Sequence, residues 1–355
     1  MKGYIYIYMK KKILIFIVVS ILIILFITPI IIYKQMFDKR FDTPLCQVNL
    51  NEIFEVKKDK YEFTSNKNQK LIGYNYYYTK KPKGIIIFSH GLGGGHKSNL
   101  PIINYLAKNN YYIFAYDATA CDESEGKIFG GVNQSVIDLE NAINFVKNET
   151  DFKNLPIFLF GHSMGGYATM SVLNKPIDVK GVVSVSGFNK LTDMIQSTIG
   201  EDIGILSNMM IPPIMLYETL KFKDYATFTS EKGIKNSKTK LFIIHSEDDE
   251  LVNKKLSYDV YKNLYETEYK NTDKIKFKLF KDKGHNYIFY KKEVFDDIKE
   301  FYRNEYKKYE ENKNYINNFY ENDFIKNSVW FNGIDNNFLD EILDFYNNIL
   351  ENEAK

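Results

Sequence analysis

The sequence predicts an α/β domain built on a mostly parallel sheet, with one membrane-crossing helix in front of it. Three observations carry this expectation. Short apolar runs alternate with segments of helical length between residues 84 and 280, the pattern that builds parallel strand–helix–strand units. One of these runs enters Gly161-His162-Ser163-Met164-Gly165-Gly166 and passes directly into helix-like sequence. Residues 13–33 are almost wholly aliphatic, interrupted only by Ser20, Thr28 and Pro29, and about 20 such residues in a helix span a bilayer core.

The apolar N-terminal stretch is expected to be a retained anchor. A cleaved secretory signal has a shorter apolar core followed by a small-residue site, whereas here Tyr33-Lys34-Gln35-Met36 follows. A buried soluble helix is disfavoured because every face is apolar and basic residues flank both ends, Lys10-Lys11-Lys12 before and Lys34, Lys39 and Arg40 after. Lys2 and the run Lys10-Lys11-Lys12 slightly outweigh Lys34, Lys39 and Arg40, two of which lie near Asp38 and Asp42. By the excess of positive charge on the cytoplasmic side, the N-terminus is expected inside and the catalytic domain outside. The domain division that follows is a basic segment 1–12, the anchor 13–33, a linker 34–56, a catalytic domain 57–311 and a C-terminal helical extension 312–355. On this division, removing residues 1–33 should leave a folded domain.

Beyond the linker, residues 61–64 and 71–78 read as two strands around the polar turn Ser65-Asn66-Lys67-Asn68, a hairpin at a sheet edge. Strands are then expected at 84–89, 112–117, 155–161, 181–186, 240–245 and 274–280. Between residues 188 and 237 the sequence is too long for a structureless loop in a compact domain. Its Ile-, Met- and Leu-rich middle, 203–216, with Pro212-Pro213, reads as a small helical cap. Residues 336–350 place Phe338, Leu339, Ile342, Leu343, Tyr346, Ile349 and Leu350 at amphipathic helical spacing, which suits docking on the main domain.

Strand, sharp turn and helix around Gly161-His162-Ser163-Met164-Gly165 form the context that a nucleophile elbow requires. Gly161 and Gly165 flank the serine because the turn is strained and neighbouring backbone packs closely. A base and an acid then follow the serine in the order acid, histidine. His90, His96 and His162 precede Ser163 and His245 precedes the acidic loop, so His285 in Asp282-Lys283-Gly284-His285-Asn286 remains. The acid must come from Glu247-Asp248-Asp249-Glu250, directly after a strand, which leaves Asp249 and Asp248 both open. Met164, next to the nucleophile, would supply one backbone N–H to an oxyanion.

From about residue 61 to 302 the chain resembles the α/β-hydrolase family, in particular its lipase-like and serine-aminopeptidase-like (monoacylglycerol-lipase-like) branch. Ser89-His90-Gly91-Leu92-Gly93, the elbow, the acidic loop and the His285 loop occur in that family's order and at similar intervals. The resemblance implies an α/β-hydrolase fold, Asp249 as the acid two positions before Leu251-Val252, and Leu92 as the second oxyanion donor. In Asp117–Gly126 the family often has glycine where Ala120 and Asp122 stand, a departure in local shape that leaves the triad intact.

The expected activity is serine hydrolysis of a carboxylic ester through Ser163, His285 and Asp249 and an acyl-enzyme, with no metal or organic cofactor. A serine peptidase or thioesterase on the same fold is the enzymatic alternative, and a non-catalytic binding protein the alternative of another class. The expected partners are a small acyl substrate, such as a lipid, and the membrane. The net charge of +2 comes from basic residues spread along the chain, unlike the clustered charge of a nucleic-acid binder. Cys46 and Cys121 are too few for a disulfide framework and lack zinc-ligand spacing. Gly91–Ser98 nearly matches a phosphate-binding loop, but His96 replaces its second glycine.

Overall fold

The computed structural model describes residues 2–43, 55–196, 207–301, 303–304 and 329–353. Cys46, residues 197–206 of the expected cap and residues 312–328 and 354–355 of the expected extension lie outside the described residues. An eight-stranded sheet forms the centre: β1 Lys57–Thr64, β2 Lys70–Tyr77, β3 Ile85–Ser89, β4 Tyr112–Tyr116, β5 Ile157–His162, β6 Gly181–Val185, β7 Lys240–Ser246 and β8 Ile275–Phe280. Their order is β1-β2-β4-β3-β5-β6-β7-β8. β1 and β2 form the antiparallel hairpin at one edge, β2 also pairs antiparallel with β4, and the other neighbours are parallel.

The central strands are buried on both faces, which is why they read as continuous apolar runs rather than alternating ones. Period-2 geometry divides their side chains. Ile85, Ile87, Phe114, Leu159 and Val182 face one core, and Ile86, Phe88, Phe158, Phe160 and Val183 face the other.

The helices are α1 Lys2–Phe37, α2 Leu100–Lys108, α3 Asn133–Asn148, α4 Met164–Ser171, α5 Ser207–Phe222, α6 Ser230–Asn236, α7 Tyr258–Leu264, α8 Phe295–Phe301, α9 Val329–Asn332 and α10 Asn336–Glu353. α3 and α4 cover the first core, while α2 and α10 cover the second. α10 inserts Phe338, Leu339, Ile342 and Tyr346, and the Tyr346 hydroxyl donates to the Leu159 carbonyl at 2.9 Å. Residues 188–237 are helical over 191–196, α5 and α6.

α1 begins well before the apolar stretch and extends past it. Its side chains from Ile13 to Ile27 are largely bare, an exposed apolar surface far larger than a soluble monomer carries. The last turn behaves differently. Tyr33 and Phe37 are buried in the first core, at 2% and 0% exposure. The Tyr33 hydroxyl donates to Glu218 Oε1 on α5 at 2.6 Å and accepts from the Val132 N–H at 3.1 Å. The expectation that residues 1–33 are dispensable for folding therefore meets a physical obstacle: Tyr33 belongs to the core. The described part of the segment read as a linker is docked as well. Arg40 donates through its guanidinium to the carbonyls of Asp122, Ser124 and Gly126, and Phe41 forms a parallel bridge with Cys121, a free and buried thiol.

This docking accounts for the departure at Ala120 and Asp122. Both retain positive φ, 55° and 39°, a conformation that costs a non-glycine residue about 1–2 kcal/mol. Contacts of the docked segment offset that strain. The Phe41 N–H donates to the Ala120 carbonyl at 2.9 Å, the Asp122 N–H to the Phe41 carbonyl at 3.0 Å, and the Thr43 hydroxyl to the Asp122 carboxylate at 2.8 Å.

Candidate active site

β5 ends at His162, and α4 starts at Met164, so Ser163 is the whole of the turn between them. Its φ of 57° places it in a region costly for a side-chain-bearing residue. The turn is possible because the neighbouring positions lack side chains. A Cβ on Gly161 would lie 2.2 Å from the Gly165 oxygen, and one on Gly165 only 1.9 Å from the Ser89 oxygen. Strand packing forces this contact, since Gly161 sits opposite Ser89 in the β3–β5 register.

β7 and β8 deliver the other two side chains from the carboxyl edge of the sheet, where parallel sheets gather functional groups. His285 Nε2 lies 2.9 Å from Ser163 Oγ. His285 Nδ1 lies 2.9 Å from each oxygen of Asp249. A carboxylate can only accept, so Nδ1 carries the proton and Nε2 is left to accept from the serine hydroxyl. Asp249 also accepts the N–H groups of Leu251 and Val252 at 3.0 and 2.7 Å. Burial alone would raise its pKa, but hydrogen bonding to His285, the nearby histidines and the Val252 amide together hold it below the ordinary aspartate value. Asp249 is thus suited to remain ionised.

The neighbouring acids have other partners. Asp248 Oδ1 accepts from Ser246 Oγ at 2.6 Å and from the Gly284 N–H at 2.9 Å, and Glu250 accepts the His285 N–H at 3.2 Å. Asp248 and Glu250 therefore hold the backbone of the His285 loop, while Asp249 meets the imidazole. His162 Nε2 lies 3.0 Å from the His285 carbonyl oxygen, to which it must donate. Desolvation and the adjacent His285 push the His162 pKa down to about 3, so this ring stays neutral. His245 Nε2 donates to the Val252 carbonyl at 2.9 Å and ties β7 to the acidic loop. Sequence reasoning passed over His162 and His245, because their partners lie in loops that no local pattern connects to them.

Leu92 and Met164 both line the cavity above Ser163. Neither backbone N–H donates a hydrogen bond among the described residues, so both are available to an oxyanion beside Ser163. His90 shapes the Leu92 loop: its Nδ1 lies 2.8 Å from the Gly91 oxygen and its Nε2 accepts the Ala118 N–H at 3.0 Å. The phosphate-loop reading finds a different arrangement. The N–H and ring of His96 are both directed at Asp117 Oδ1, each at 2.8 Å, and a carboxylate there repels an anion.

The cavity measures about 370 Å³. Phe188, Met194, Val252, Met36 and Phe37 contribute apolar wall, and no Asp, Glu, Lys or Arg lines it among the described residues. No group of His, Cys, Asp and Glu capable of holding a metal occurs among the described residues.

The fold has counterparts in solved structures. An esterase of Pyrococcus furiosus superposes with a TM-score of 0.54 at 20% identity, covering 76% of this chain and 97% of that one. The chain has the α/β-hydrolase fold. A family model described as serine aminopeptidase, S33, matches residues 80–224, a span that includes Ser163 and stops before Asp249 and His285. Monoglyceride lipase of Rattus norvegicus is 28% identical over 138 residues, 38% of this chain and 45% of that protein. An uncharacterized protein of Escherichia coli, YfhR, is 25% identical over 171 residues, 47% of this chain and 53% of that protein. The matched segments thus span about half the length of these curated relatives.

Proposed function

We propose that the protein is a membrane-anchored serine hydrolase that cleaves a carboxylic ester with an apolar acyl group. The single observation that carries this reading is the hydrogen-bonded line Ser163 Oγ, His285 Nε2, His285 Nδ1 and Asp249, with 2.9 Å at each junction, at the floor of an apolar cavity. His285 takes the proton of Ser163 as its oxygen attacks the acyl carbonyl, and Asp249 orients the ring and stabilises its charged form. The amides of Leu92 and Met164 hold the negative oxygen of the tetrahedral intermediate, aided by the positive end of α4. His285 then gives its proton to the departing alcohol, and water activated by the same imidazole releases the acid from Ser163.

An ester with an apolar acyl group is favoured because Phe188, Met194, Val252, Met36 and Phe37 give the cavity an apolar wall beside Ser163. The similarity to monoglyceride lipase points to the same bond. α1 serves as the anchor, with the N-terminus inside and the catalytic domain outside. Arg40 supports this orientation, since its charge is engaged by Asp42 and three carbonyls while Lys10, Lys11 and Lys12 are exposed. Paired substrates with one acyl group test the bond: the p-nitrophenyl ester should be cleaved and the matching aminoacyl anilides left intact, and preferential anilide cleavage would replace the esterase reading with the peptidase one.

A further inference from the structure

The loops at the edge of the sheet do not enclose the cavity over Ser163 by themselves. Met36 and Phe37, on the last turn of the helix that would cross the membrane, supply part of its wall. A second cavity of about 10 Å³ lies between α1 and α5, lined by apolar side chains including Ile32, Met36, Met194, Met210 and Ile214. That is about the room of one water-sized sphere, but an apolar lining holds no water in place. The two cavities share Met36 and Met194, so these side chains form the partition between them. Apolar side chains therefore continue from the cavity over Ser163, past Met36, into the contact between α1 and α5.

The partition is of a kind that can yield. Methionine is unbranched, has three rotatable side-chain bonds and fills irregular gaps without a fixed shape. Met36 is only partly buried, packed against the first core from its edge.

We infer that Met36 sets the acyl length accepted by the site, and that the membrane helix is itself part of the substrate pocket. A short acyl chain ends against Met36 and Phe37. A longer unbranched chain displaces the Met36 thioether and continues into the seam between α1 and α5, which makes long-chain fatty acyl esters the substrate class. This rests on the ester-hydrolase reading of Ser163. Each methylene moved from water to an apolar wall raises kcat/KM roughly fourfold until the wall blocks it, so the position of the wall is readable as a break in a chain-length series.

The test uses the full chain in detergent with p-nitrophenyl esters from acetate through octanoate to palmitate, for the wild type, Met36→Ala and Met36→Phe, alongside fluorophosphonate labelling of Ser163. Met36→Ala should raise the palmitate-to-acetate ratio of kcat/KM by about tenfold or more, and Met36→Phe should lower it by a similar factor, consistent with two or so methylenes gained or lost. Met194→Ala, on the facing side of the partition, should act in the direction of Met36→Ala and covers the case in which a Met36 variant fails to fold. Variants that label at Ser163 and keep the wild-type chain-length profile would overturn the inference while leaving the hydrolase reading in place. A wild type that labels but cleaves no ester of the series would overturn both.

Discussion

Asp248 and Asp249 are adjacent carboxylates with different partners, and replacing each by asparagine separates their roles. In Asp249→Asn one oxygen still serves the amides of Leu251 and Val252, but the new NH2 group faces Nδ1 of His285. The retained oxygen also lies 2.9 Å from Nδ1 but already accepts two amides, so the new NH2 group favours the tautomer in which Nδ1 accepts and Nε2 holds the proton. Nε2 then points an N–H at Ser163 Oγ across 2.9 Å and can no longer take its proton. In serine triads this wrong tautomer lowers turnover by about 10⁴, or about 5 kcal/mol of barrier. Asp248→Asn keeps an acceptor oxygen for the Gly284 N–H and Ser246 hydroxyl, so its loss should stay within about tenfold, roughly 1.4 kcal/mol. Hydrolysis of p-nitrophenyl butyrate, with circular dichroism to check folding, measures both. A larger loss from Asp248→Asn, or a loss under tenfold from Asp249→Asn, would refute the assignment of the acid.

Burial raises the Glu218 pKa from 4.5 to about 7, so the folded state holds a proton that the unfolded state releases; stability from this group is full below about pH 4.5 and lost as pH rises through about 7. The loss amounts to about 3 kcal/mol, and denaturant melts from pH 4 to 8 should show a downward slope that Glu218→Gln flattens. A chain cut before Ile27 should be soluble, folded and active, because it keeps Tyr33 and Phe37, whereas one beginning at Lys34 leaves Glu218 and the Val132 amide without their Tyr33 partner and should lose about 2–4 kcal/mol; equal melting of the two would contradict the docking of α1. His162→Phe retains the bulk beside His285 but loses the bond to its carbonyl, and should lower kcat about fivefold to fiftyfold with a pH profile shaped like that of the wild type. A changed profile would mean that His162 itself titrates in the reaction.

What the sequence revealed follows the range of the interactions involved. Strand positions were legible to within a few residues because burial on both faces writes itself as short apolar runs, and Ser163 was legible because its turn demands glycine on both sides within a few positions. His285 came from chain order. The docked segment 33–43 was not legible: it touches residues 129–132, α5 and the Asp117–Gly126 loop, all remote in sequence, and its apolar residues merge with the preceding apolar stretch. A local signal existed, since Tyr33, Met36 and Phe37 recur at the spacing of one helix face amid polar neighbours, the mark of a last turn that packs. Ala120 and Asp122 pointed the same way, as residues occupying a glycine conformation need a partner to hold them. Glu250 and His162 were hidden for a different reason: they support His285 through backbone atoms, and a backbone hydrogen bond leaves no residue preference at its other end.

The central claim is that Ser163 is an activated nucleophile, and a fluorophosphonate tests it without knowledge of the natural substrate. The reagent needs the same base and the same amide donors as acyl transfer. Mass spectrometry of the labelled full chain should show one phosphonyl group, located on the peptide containing Ser163, with labelling abolished in Ser163→Ala and in His285→Ala. A folded protein that takes up no label at neutral pH, or labels equally well without Ser163, would contradict the account.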